Sequence, residues 1–399
     1  MVNVSFSEQD NMIDSEQNIL TGLIKLQKYI EAENYSGYDP YDALKSPLFH
    51  LPFLRSHKLI RFGTQQFVKR FPLNLRPLLL IKKGLNPVTI GLCIQAYTSL
   101  AKNKNITPDE LNAKANPLIN QLTNLIPKGF KGACWGYDFD WESRYAKIPS
   151  YQPTIVATGI ITNALFEFYK FTGNKAALDL CKSACNFLLN DINRFVDKDE
   201  SICFSYSPFD NIQVFNASMK GVRLLSQVYS VTKDPELYLI AKKGAQFVIN
   251  YQQKDGSWKY AALNKGEWID NYHTGYVLDC LHEFQNNCND FTFEKNIQSG
   301  FEYYVNNFFV DDRIPKFYNN SIYPIDCTAG GQSILTLLRF NEVAKALNVA
   351  AFMIDKMQSP KGYFYFRKYK VYTEKHSFMR WSNAWMFAAL AEVANFSKP

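Results

Sequence analysis

Along this chain, nearly uncharged helical stretches alternate with stretches that carry charge on one side only. Six stretches share a polar or aromatic opening followed by a nearly uncharged helical run: from Asn86, Pro153, Asn216, Tyr272, Ile325 and Arg380. Their starts are 67, 63, 56, 53 and 55 residues apart, a near-regular internal repeat. Helices with a charged stripe are predicted over 14–33, 107–125, 173–192, 234–252, 291–308 and 340–357. "TPDE" at 107–110 offers a Thr cap, Pro in the first turn and Glu at the third position. "DPEL" at 234–237 repeats the acidic cap and Pro. A striped helix has one wet face, whereas an uncharged one must be covered on most sides.

Between each striped helix and the next uncharged one lies a loop with Gly ahead of alternating aromatics. "KGFKGACWGYDFDW", "QQKDGSWKY" and "QSPKGYFYFRKY" are the clearest; "ESICFSYSP" and "RIPKFYNN" follow the same form. Gly supplies a turn and the alternation predicts short strand-like pieces lying over the helix ends. Six apolar helices covered by six striped ones bury themselves by closing into a ring. The expected architecture is therefore all-α, an (α/α)6 toroid with short strand-like loops at one mouth. It is expected to form one domain over 1–399, with 35–75 as an elaboration before the first inner helix.

Composition changes this picture little. Of 399 residues 47% are hydrophobic, enough for a large core, and 15% are aromatic, which suits a cleft that stacks against sugar rings. The net charge of +7 reads as spread along the chain, with no arginine-rich tract, which argues against nucleic acid. The eight cysteines show no C-x-x-C pair. The N-terminus has no basic region followed by an apolar core, and no run of about 18 apolar residues appears. These features predict a cytoplasmic, reduced protein with no membrane span, no bound metal and no cofactor.

The candidate chemistry gathers where loops enter the inner helices, at one mouth of the ring. "WIDNYHT" (268–274) places Asp270, Asn271, Tyr272 and His273 together. His273 is the leading acid–base candidate because imidazole titrates near neutrality, with Tyr272 and Asp270 beside it. Asp270 reads equally well as a helix cap. In "CWGYDFDWESR" (134–144), Asp138 and Asp140 point the same way on an extended strand and form a candidate carboxylate pair, or else an ion pair with Arg144. Trp135, Tyr137, Trp141, Tyr206, Trp381 and Trp385 are candidate sugar-stacking residues. Asp39, Asp42, Asn216, Asp326 and Arg380 are candidate polar contacts. Arg380 either grips a substrate carboxylate or makes a buried salt bridge with a loop Asp.

The motifs "YSGYDPYDAL", "CWGYDFDW", "DGSWKY", "WIDNYHTGYVLDCL" and "MRWSNAWMF" resemble the VpsJ-like family of bacterial polysaccharide-biosynthesis proteins, over about residues 35–395. The wider group of six-hairpin toroids includes glycoside hydrolases, unsaturated-uronyl hydrolases, polysaccharide lyases and sugar epimerases. "NYHT" (271–274) is similar to the Tyr-His-Thr stretch of glucuronyl C5-epimerases. The resemblance implies action on a uronic oligo- or polysaccharide by hydrolysis, elimination or epimerisation, beside other polysaccharide-biosynthesis proteins. Two further readings stand beside it: a non-catalytic glycan-binding scaffold, and an isoprenoid-handling toroid. "QQKDGSWKY" is similar to the Gln…Gly-Trp repeats of terpenoid cyclases, but the D-x-D-D acid motif is missing.

Overall fold

The computed structural model describes residues 6–142, 147–262, 266–394 and 396. Fourteen α-helices account for most of these residues. In chain order they are α1 (Phe6–Ala32), α2 (Pro52–Ser56), α3 (Lys58–Arg70), α4 (Pro87–Lys102), α5 (Pro108–Asn124), α6 (Ile155–Thr172) and α7 (Lys175–Asn190). They continue as α8 (Phe215–Thr232), α9 (Pro235–Asn250), α10 (Asn271–Cys288), α11 (Glu294–Asn307), α12 (Cys327–Arg339), α13 (Val343–Met357) and α14 (Trp385–Val393).

The even-numbered helices from α4 to α14 pack in sequence, and α14 returns to pack on α4, closing the ring. Outside it, α5, α7, α9, α11 and α13 each cover the inner helix before them, while α1 packs against α13 and α14. The fold is an (α/α)6 toroid. The sequence explains the two layers. In α6 every residue from Ile155 to Phe166 is buried, whereas α7 buries only one face, through residues such as Leu178, Cys181, Cys185 and Leu188. The predicted caps form. Thr107 and Glu110 make a reciprocal capping box, and the Asp234 side chain accepts from the Glu236 backbone.

The glycines of the aromatic loops turn the chain as expected. Gly129, Gly256 and Gly362 have φ of +94°, +89° and +97°, a region that side chains with a Cβ disfavour. Strand pairing departs from expectation. Two-stranded pieces form at Trp141–Glu142 with Lys147–Ile148, Arg194–Val196 with Ile202–Phe204, and Phe309–Val310 with Ile314–Pro315. Ile325–Asp326, Tyr365–Lys368 and Thr373–Ser377 make the one three-stranded sheet among the described residues. The stretches 128–140 and 252–260 form no strand. Their tryptophans instead brace helix ends: the indole N–H of Trp135 donates to Leu122 O and that of Trp258 to Val248 O, in the last turns of α5 and α9. Each indole adds a second donor to a carbonyl that already accepts a helix-end backbone N–H, from Leu125 and Tyr251 respectively.

Candidate active site

The N-terminal ends of α6, α8, α10, α12 and the last inner helix surround a cavity of about 310 Å³. It opens through a shared rim, including Tyr41, Trp141, Tyr206 and Trp268, into an outer chamber of about 450 Å³. The last inner helix starts with a π-helical turn, Met379–Ala384, which carries Arg380 and Trp381 at the cavity wall.

At α10 the local sequence builds a hydrogen-bonded dyad. Asp270 is the N-cap, and its Oδ1 accepts from the His273 backbone N–H. Its Oδ2 lies 2.7 Å from His273 Nδ1 and accepts from the Trp268 indole at 2.9 Å. The carboxylate is 2% exposed, so the imidazole is its main route for sharing charge. An acceptor at Nδ1 favours the tautomer with the proton there, leaving Nε2 as a base. His273 lines the cavity, held between the rings of Tyr272 and Tyr260 at 3.9 and 4.7 Å. Burial, with the Asp270 charge adding to it, pushes the Tyr272 hydroxyl well above the usual tyrosine range. That leaves His273 the better base of the two.

The stretch 35–75 is more than an elaboration, since α3 and the turn before it supply one cavity wall. Lys69 is only 8% exposed, donates to Tyr41 Oη at 2.6 Å, and pairs with no carboxylate among the described residues. Burial, with the Arg367 guanidinium nearby, holds its amine well below the usual lysine range. Arg70 lines both chambers beside it. Sequence reading missed both. The signal available was a helix of amphipathic character that ends Val-Lys-Arg, with the lysine on the buried side.

Of the sequence candidates, Tyr137, Trp141, Tyr206, Asn216, Asp270, Tyr272, His273, Arg380, Trp381 and Trp385 line the cavity. Asn216 presents a buried Oδ1 that has no hydrogen-bond partner, which suits a ligand hydroxyl. The other candidates stand elsewhere. Trp135 is 0% exposed and is the helix brace described above. Asp138 and Asp140 do point the same way, but into a depression beyond Phe139, while Tyr137, Phe139 and Trp141 face the cavity. Asp138 is held by Lys45 and Asn86, and Asp140 accepts from the Ser150 backbone. Their reading as a carboxylate pair at the cavity is therefore corrected, and the ion pair that forms on Asp138 is with Lys45.

Asp39 and Asp42 are also corrected, from ligand contacts to buried ion pairs. Asp39 takes Arg380 in a two-pronged bond of 2.7 and 2.9 Å, so the salt-bridge reading of Arg380 is the one realised. Asp42 takes Arg76 at 2.7 Å. Asp326 caps α12, binds Arg367 at 2.6 Å and accepts from Trp381, so it supports two cavity residues without reaching the cavity. Asn271 accepts from Tyr304 and Ser333 in the core. Arg144 lies outside the described residues. Among the described residues no cluster of three or more His, Cys, Asp or Glu side chains could hold a metal.

Comparison with solved structures gives three informative likenesses. An unsaturated glucuronyl hydrolase specific for heparin is 14% identical, with TM-score 0.64, covering 98% of this chain and 99% of that one. A sugar epimerase from a ruminal bacterium is 11% identical, with TM-score 0.62, covering 79% and 90%. A GH76 α-mannanase from Bacteroides thetaiotaomicron is 12% identical, with TM-score 0.56, covering 77% and 86%. The likeness at these identities is one of fold. No family model and no curated protein sequence matches the chain, so the VpsJ-like resemblance stands on its motifs alone.

Proposed function

We propose that this protein is a carbohydrate-active enzyme that binds an acidic sugar in the inner cavity and moves the proton on the carbon bearing its carboxylate. The observation that carries this reading is the Asp270–His273 dyad opening into a cavity that holds an unmatched lysine and no second carboxylate. Glycoside hydrolysis by a carboxylate pair asks for two such groups flanking the bond. Among the described residues lining the inner cavity Asp270 is the single acid, and it is engaged by His273 and Trp268; Glu142 and Asp210 line the outer chamber, where Arg61 and Ser207 donate to them.

In this mechanism His273 Nε2 takes the proton, and Asp270 steadies the imidazolium that forms. Negative charge then builds on the substrate carboxylate, where Lys69 and Arg70 offset it. Return of a proton to the opposite face completes an epimerisation, and the Lys69–Tyr41 pair stands ready as its donor. Loss of a substituent from the next carbon would give an unsaturated sugar instead. The sugar-processing toroids among the fold relatives include both an epimerase and a glucuronyl hydrolase, which is compatible with an acidic sugar as ligand. The aromatic outer chamber suits a neighbouring sugar ring of an oligo- or polysaccharide.

The test is incubation with uronic-acid and neutral oligosaccharides in D₂O, read by mass spectrometry and NMR. One deuterium gained at the carboxylate-bearing carbon without cleavage, and lost in His273→Ala, is the expected result. Cleavage by water with no deuterium on carbon would refute it and point to hydrolysis. Binding without turnover would favour a glycan-binding scaffold.

A further inference from the structure

The stretch from Pro47 to Lys83 contains eight Lys and Arg and no Asp or Glu. The other 362 residues hold 36 basic and 37 acidic residues, so the whole excess of charge sits in this one segment. It is therefore not spread along the chain. Apolar residues separate the cations, and no basic run marks the segment.

Those apolar residues face outward. Leu59 is 85% exposed and Leu78 79%, and Leu51, Phe53, Phe67 and Leu73 are each more than half exposed. On α3, Leu59, Gly63 and Phe67 are exposed at four-residue spacing, while Gln65, Val68 and Lys69 are buried. One helix thus presents an apolar stripe outward while Phe62, Gln66 and Arg70 line the outer chamber. Arg55, Lys58 and Lys82 are exposed in the same segment, as is Lys83, which pairs with Glu33 at 2.5 Å.

We propose that this face docks on the surface of a lipid bilayer rich in anionic headgroups. Exposed Leu and Phe enter the boundary between headgroups and acyl chains, and the cations meet the lipid phosphates, as an interfacial amphipathic surface does. Several large apolar side chains more than half exposed within one basic segment, on a chain otherwise near neutral, mark an interaction site. A second copy is the poorer occupant. A two-fold contact would set these cations against one another, with no carboxylate in the segment to pair them. Because α3 also walls the outer chamber, docking would hold the cavity mouth close to the bilayer. This inference stands apart from the chemistry of the cavity.

The test is co-sedimentation of the full chain with vesicles of phosphatidylcholine alone and of phosphatidylcholine with phosphatidylglycerol, at physiological salt. Binding to the anionic vesicles at least tenfold above the neutral ones is expected. The double variant Leu59→Asp/Leu78→Asp and the charge reversal Arg55→Glu/Lys82→Glu should each lower it at least tenfold. All four positions are exposed and lie outside the cavity, so the melting temperature should hold. Equal binding to both vesicles, or to neither, would overturn the proposal. So would a dimer in sedimentation velocity that Leu59→Asp dissolves, or binding to an oligonucleotide with indifference to vesicles.

Discussion

Replacing Lys220 by Met should make the protein more stable, and by an amount that depends on pH. Lys220 lies on α8, 2% exposed, with its ammonium 3.7 Å from the centre of the Tyr276 ring. Burial, with Arg223 nearby, lowers its pKa from 10.5 to about 7. At 1.36 kcal/mol per pH unit, that displacement corresponds to about 5 kcal/mol of lost stability while the amine is charged in both states. Methionine keeps an unbranched stem of similar length but gives up the attraction to Tyr276, worth about 2 kcal/mol in a desolvated setting. The net gain at pH 6.5 is then about 3 kcal/mol. The folded pKa lies below the unfolded one, so the unfolded state binds more protons between pH 7 and 10.5. Wild-type stability should therefore rise with pH across that window, and the Lys220→Met variant should lack this rise. Urea midpoints of both proteins at pH 6.5, 8 and 9.5 measure the difference directly. A variant no more stable at pH 6.5, or a gap that stays constant with pH, would refute the argument.

Asp270→Asn keeps the cap oxygen but presents an amide N–H to the imidazole, reversing the favoured tautomer. Turnover should fall about 10²–10⁴-fold with little change in melting temperature, and ¹⁵N shifts of His273 report the tautomer. Trp135→Ala should lower stability by about 3–5 kcal/mol in urea and leave activity per folded molecule unchanged, since it empties a core site and removes the indole bond to Leu122 O. Asp39→Asn should lose about 3–5 kcal/mol by stranding buried Arg380; a gain in affinity for acidic sugars without loss of stability would instead make Arg380 a ligand group. A uronate should raise the melting temperature less as pH rises towards the ordinary lysine range, because it binds best while Lys69 is protonated; a neutral sugar should show no such dependence.

The ring was legible in the sequence because its cause is periodic. Each inner helix is nearly uncharged, with few exceptions such as Lys220 and Arg223 on α8, so only a surrounding layer can satisfy it, and six near-equal repeats are enough to close. The dyad was legible for a local reason, since Asp270 and His273 lie three residues apart at one helix start. What stayed hidden depends on contacts between distant residues. Nothing in "CWGYDFDW" distinguishes Trp135, which reaches back to Leu122, from Trp141, which faces the cavity. Alternation correctly puts Asp138 and Asp140 on one side, but which side meets the cavity is decided by Lys45 and Asn86 on the other. The destinations of Asp39 and Asp326 were equally nonlocal. Their partners Arg380 and Arg367 lie 341 and 41 residues away.

The distribution of matched and unmatched charge gives the cavity its character. Arg367 and Arg380 carry their own counter-ions, Asp326 and Asp39, inside the wall. They hold tryptophan and tyrosine rings in place and add little net field. Lys69 and Arg70 come from the inserted segment and bring no acid with them, because that segment contains none between Pro47 and Lys83. Asp270 is already shared between an imidazole and an indole. The positive excess therefore falls on the part of the cavity wall that the insert supplies. A ligand that places a carboxylate against the insert and a C–H bond against His273 satisfies both sides at once, whereas a neutral sugar leaves Lys69 buried and unpaired.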